Sequence, residues 1–232
     1  MSKITLEPNS SGAGTFSIQS PDSNSNRVLT LPDNDGTVLS TVSDLAAGQL
    51  TGTVDAARMP SDSIIQAKSV YYTGASSDNS FDVWKDFPGD IGQGISITPT
   101  SSNSKFMIMW SLHVHRNSSG LSDGNFSCHV RLGRTINGSL NDTFAVGDAR
   151  GPRTRSTFSV RTSASGIAVP ARTGSFIDSP NTDQTIIYNV RFNNAPGASN
   201  STPTFFNRNP FDFNDAGSGY TAISSLVVME LA

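Results

Sequence analysis

Residues 105 to 115, "KFMIMWSLHVH", place Phe106, Ile108, Trp110, Leu112 and Val114 on one face by strict alternation. A run of that length with period two folds as a strand against a core. The opposite face carries Met107, Met109, Ser111, His113 and His115. It is more apolar than a solvent-washed face needs, so a second layer or another subunit is expected to cover part of it. Composition points the same way. Charged residues make up 15% of the 232 positions, and Glu occurs only at Glu7 and Glu230, whereas ordinary globular chains are about 25% charged. Helix formers are scarce, so strand and loop are expected to dominate. Further strands are predicted at 69–74, 94–100, 126–133, 156–163, 185–193 and 222–231, separated by turn-rich loops. The class this indicates is all-β, an antiparallel β-sandwich or jelly roll.

The chain divides into a segment 1–45 of short strand-like pieces, a connector 46–69 punctuated by Gly48, Gly52 and Pro60, and a part 70–232 that must hold the core. Within the first, "NSNRVLTLPDNDGTVLST" (24–41) reads as a hairpin around a Pro-Asp-Asn-Asp-Gly turn. A lone hairpin is marginal in water, and roughly the first 65 residues hold little other apolar mass. Either this segment is disordered or Val28, Leu29, Leu31, Val38 and Leu39 pack on another chain.

A net charge of -3 leaves no basic footprint, so nucleic acid is not an expected partner. Cys128 is the only cysteine, which removes disulfides within the chain and any cysteine cluster for zinc. In "FSCHVRL" it alternates with Phe126, Val130 and Leu132, the pattern of a buried core thiol. No stretch approaches the ~20 apolar residues of a membrane span and the start lacks a signal-peptide apolar region, so a soluble protein made in a cytoplasm is expected.

"NRVLTLPDNDGTVLST" resembles the stem motif of bacteriophage tail-fibre proteins, and "GQLTGTVDAARMP" (48–60) resembles the connector that often follows such stems, with Met59 where Leu is commoner. "ISITPTSSNSKFMIMWSLHV" (95–114), "DSPNTDQTIIYNVRF" (178–192) and the terminal "SSLVVMELA" are similar to a small β-rich domain at the C-terminal end of many phage fibre-like proteins. The resemblance implies a homotrimeric virion fibre on the tail or capsid exterior. Its N-terminal segment would join other virion proteins, its stem strands would intertwine about an axis, and its C-terminal head would face outward. Val28, Leu29, Leu31, Val38 and Leu39 then become stem contacts between copies. Closed cyclic symmetry satisfies such patches without open-ended polymerisation.

Three groups are candidate sites, each with a plainer alternative. His113 and His115, two apart on a strand, point the same way. Three copies could offer their imidazoles to one metal ion on the axis, or the histidines could make ordinary hydrogen bonds with no cofactor involved. Arg150, Arg153 and Arg155 lie within six residues on a predicted loop, near Arg131, Arg134 and Arg161. Planar guanidinium groups suit an anionic bacterial surface glycan, and they equally suit pairing with Asp across the trimer or solvation. "TPTFFNRNPFDFNDAGSGY" (202–220) brings Phe205, Phe206, Arg208, Phe211 and Phe213 among amides and carboxylates. These rings either contact a glycan or protein receptor or fill the core beneath a loop. Catalysis is not expected: every carboxylate except Glu7 and Glu230 is an Asp, most of them in turn contexts, and no Gly-x-Ser-x-Gly elbow occurs. The expected function is noncatalytic host adhesion as a short tail fibre. The alternative is an architectural role as a head fibre, decoration protein or fibre adaptor.

Overall fold

The computed structural model describes residues 10–15, 17, 19, 22–26, 28, 58–116, 127–161, 171–195, 203–209 and 221–232. The chain forms two compact units, Met1–Gly52 and Thr53–Ala232. In the first, Val28 is exposed within the single chain. The rest of the predicted hairpin's apolar set, Leu29, Leu31, Val38 and Leu39, lies outside the described residues, as do Phe211 and Phe213.

Among the described residues the second unit consists of twelve strands and one helical turn: β1 (Ile64–Tyr72), β2 (Ser76–Asp78), β3 (Lys85–Asp86), α1 (Asp90–Gln93), β4 (Ile95–Ile97), β5 (Lys105–Arg116), β6 (Ser127–Ile136), β7 (Ser139–Asn141), β8 (Phe158–Arg161), β9 (Ala171–Asp178), β10 (Ile186–Asn194), β11 (Thr204–Phe206) and β12 (Ser224–Leu231). They make two antiparallel sheets. The first runs β1-β12-β5-β11-β2 with β9 on the other side of β5; the second runs β3-β10-β6-β7 with β4 also on β10 and β8 also on β6.

The register shows that several short strands are halves of one. β12 pairs with 105–111 of β5 and β11 with 114–116, on the same side and in the same direction. The path leaves the sheet at Asn207, whose φ is +58°, and Ala222 N–H donates back to Asn207 O. β1 and β2 continue one another beside that composite strand, β3 and β4 lie end to end along β10, and β7 and β8 lie end to end along β6. Each sheet is therefore four strands wide, and the chain crosses from one to the other repeatedly.

The core lies between the sheets. Phe106, Ile108, Leu112 and Val114 of β5 are fully buried, as the alternation predicts, against Val130, Leu132, Ile186, Val190 and Phe192 of the second sheet. Trp110 stacks on Phe158 with ring centroids 6.0 Å apart and planes 6° from parallel. Burial of such side chains stabilises by about 1.5–3 kcal/mol each. Cys128 belongs to this layer, and burial pushes its thiol up to about 12 despite the opposing Thr204 hydrogen bond and Arg116 charge, so it is unreactive.

The first strand begins at Ile64, inside the stretch 46–69 expected to be connector. The sequence hid it because Gln66 and Lys68 occupy positions where a core strand would carry apolar groups. Gln66 instead donates to Glu230 Oε2 and Thr98 O, and Lys68 Nζ to Ser96 O at 2.7 Å, closing that edge of the sandwich with polar side chains.

The outer face of the first sheet is unusual. In register across β1, β12, β5 and β9, one row reads Ala67, Met229, Met107, Ile177 and the next Ser69, Val227, Met109, Ser175. A third reads Tyr71, Ser225, Ser111, Thr173. No charged side chain interrupts these rows; Lys105, in line with Met107 and Met109 and paired with Leu231, lies beyond their end and bounds the neutral area.

Candidate functional site

The outer face of the second sheet is charged. Arg191 of β10 and Arg131 of β6 are direct cross-strand partners, and like charges so placed destabilise a sheet unless something lies between them. Asp142, just past β7, does so: Arg191 Nη1 donates to one of its oxygens at 2.7 Å and Arg131 Nη1 to the other at 3.2 Å. Arg191 also reaches Asp86 Oδ1 at 3.2 Å and Trp84 O at 3.1 Å, while the Arg131 guanidinium stacks 4.0 Å from the centre of the Trp84 ring.

This network anchors the loop that interrupts the β7–β8 strand, residues 142–157. Arg131 Nε donates to Arg155 O at 2.8 Å, Arg155 Nε to Gly147 O at 2.7 Å, and Thr157 Oγ1 to Ala145 O at 2.7 Å. The loop's tip, 148–154, is exposed throughout and turns at Gly151, where φ is +59°. Arg150 and Arg153 project from it, and among the described residues neither makes an ion pair. Asp148 is the one carboxylate on the same tip.

The arginine concentration therefore splits in two. Arg131 is held in the network, and Arg134 Nη1 donates to both oxygens of Asp178 at 2.7 and 2.8 Å, where the Tyr188 hydroxyl also donates at 2.7 Å. These arginines pair with Asp inside one chain. Arg150 and Arg153 stay available to a partner.

The aromatic group requires correction. Phe206 is fully buried between the sheets, its ring 5.0 Å from Phe87 and 4.9 Å from Phe192. Phe205 points the other way, as strand alternation dictates, and is covered too, with the Arg208 guanidinium 5.2 Å from its ring centre. Neither is an exposed ring for a receptor, because both belong to β11, a piece of strand rather than loop. Arg208 also donates to Ser77 Oγ at 3.3 Å, which ties it to β2.

His113 and His115 do share a face of β5, but His115 is buried, opposite Phe205 in the ladder. The two imidazoles are thus not presented together on an exposed surface, and no group of three His, Cys, Asp or Glu suited to a metal occurs among the described residues. His129, on the charged face, hydrogen-bonds Ser159 Oγ at 2.7 Å. Burial, then the charges of Arg131 and Arg116, hold its pKa below the ordinary value.

Two groups were not singled out in the sequence. Glu230, fully buried, accepts hydrogen bonds from Thr100 N (2.6 Å), Thr100 Oγ1 (2.7 Å), Ser104 Oγ (2.6 Å) and Gln66 Nε2. Arg116, also buried, donates to Ser127 O at 2.8 Å. The rarity of Glu was the one legible signal. No helix among the described residues is long and apolar enough to cross a membrane. The sequence matches no protein-family model and none of the curated proteins.

Proposed function

We propose that this chain is a noncatalytic, homotrimeric phage virion fibre protein. In this reading its C-terminal sandwich, a jelly-roll head, attaches the particle to an anionic glycan on the bacterial surface. The observation that carries the reading is the 142–157 loop: its base is pinned by Asp142, Arg131 and Arg155, and its tip holds Arg150 and Arg153 exposed and unpaired. A loop pinned at its base loses less backbone entropy on binding, and guanidinium groups match carboxylate and phosphate oxygens. Alternation of the composite strands between two four-stranded sheets is the jelly-roll order and supports the fold part of the reading. The resemblance of residues 24–41 to phage stems, and of 48–60 to the connector that follows them, supports the virion part. Three modest sites per fibre would act by avidity.

The test is adsorption competition. Purified protein added to host cells should block phage attachment, and Arg150→Ala with Arg153→Ala should lose about tenfold in blocking potency, the worth of two solvent-exposed ion pairs. Full blocking by the double variant would remove the loop from the contact.

A second reading, an architectural adaptor gripped by other virion proteins, is favoured by the uncharged outer face of the first sheet. A well-folded protein that leaves attachment unchanged would select it.

A further inference from the structure

We infer that the uncharged outer face of the first sheet is where copies of this chain meet, each presenting this same face toward a common symmetry axis. The inference rests on the homo-oligomeric part of the proposed function and assigns its surface. Met109, Ile177 and Tyr71 on this face are 41%, 52% and 55% exposed in the single chain, and Met107, Val227 and Met229 lie between them in register. Interface centres are depleted in charge and enriched in Met and Tyr. A contiguous exposed apolar patch on a sandwich marks such a centre.

The occupant follows from charge. A partner seated here must itself be neutral over the matching area, because any charge it buried would be left without a counter-charge, a strongly unfavourable outcome. The opposite face of the sandwich carries Arg131, Arg191, Asp86 and Asp142 and cannot supply that match. The neutral surface in the described fold is this face itself, which meets its own copy without repulsion. Closed symmetry then covers every copy and leaves none exposed.

Size and shape agree. Four strands about 4.8 Å apart, with rows about 6.8 Å apart, make a plateau on the order of 20 by 20 Å. That area is the uncharged centre of an interface of about 800 Å² a side, the remainder being its rim. A trough of about 410 Å³ over Ser111, Thr173, Ser175 and Ser225, bounded by Met109 and Val227, offers room for side chains of a neighbouring copy.

Thiol labelling tests this with the full chain, since Cys128 is fully buried and stays silent. Met109→Cys, Ser175→Cys and Ser69→Cys place a thiol on the face without touching the core; Ser139→Cys, exposed on the second sheet, is the control. In purified protein whose light-scattering mass is a multiple of the chain, the face thiols should react with a water-soluble maleimide about tenfold or more slowly than the control. Equal rates at that same mass would overturn the inference and leave the oligomer intact. Equal rates in purified protein with protection in intact particles would overturn it in favour of another virion protein as occupant. A single-chain mass would overturn the inference and the oligomeric reading together.

Discussion

Glu230 sits at the meeting point of β1, β5 and β12, and its carboxylate is satisfied by hydrogen bonds rather than by a cation. Burial alone would raise its pKa. The hydrogen bonds from Ser104, Thr100 and Gln66 outweigh that and hold it below the ordinary 4.5. A carboxyl whose pKa is lower folded than unfolded adds stability that is complete above about pH 4.5 and is lost as pH falls through the folded value. Glu230→Gln places an NH₂ among these donors. It should cost about 1–3 kcal/mol at neutral pH, the penalty of unpaired buried polar groups. Urea midpoints measured from pH 7 to pH 3 should show the variant less stable at neutrality and flatter below pH 4.5. Parallel curves would mean that Glu230 does not drive the acid loss. His129 adds a separate, earlier slope: with its folded pKa depressed, the unfolded chain takes up the proton first, so stability declines as pH drops through about 6.5.

Legibility in the sequence tracked length and polarity at the level of elements. β5, β6, β10 and β12 were readable because their inward positions are apolar over long runs. β2, β3, β7 and β11 are two or three residues long and have no period to read. β9 was missed for another reason. Its inward positions are Arg172, Gly174, Phe176 and Asp178, which do not look like a core face until their partners are known. Asp178 takes Arg134 and Tyr188, and Gly174 makes room for the Trp110 ring, whose Cζ2 would lie 2.3 Å from any Cβ there. The same limit governed the candidate site. Arg150 and Arg153 could be picked out by type and spacing, whereas the burial of Phe205, Phe206 and His115 depends on pairing between residues some 90 apart in sequence. Gly174→Ala tests the β9 argument. Overpacking against a ring wedged between sheets should destabilise by about 1–3 kcal/mol. It should also shift tryptophan fluorescence in the native state. An unchanged midpoint and spectrum would show that the Trp110 ring moves aside at no cost.

For the whole molecule, the two outer faces of the sandwich assign opposite physics to its two proposed contacts. The face of the second sheet and its loop act through Arg150 and Arg153, exposed charges whose attraction to an anionic surface is screened by salt. The face of the first sheet acts through apolar burial, which salt does not weaken. Raising ionic strength from about 0.1 to 1 M shortens the Debye length from about 10 to 3 Å. The protein's ability to block phage adsorption should then fall steeply, while its light-scattering mass stays constant. A fall in mass with salt would place charge at the contact between copies and contradict the assignment of the neutral face. Adsorption blocking that ignores salt would contradict a contact led by exposed arginine charge. Because mass and blocking are read on the same sample, loss of avidity through dissociation is distinguishable from loss of the contact itself.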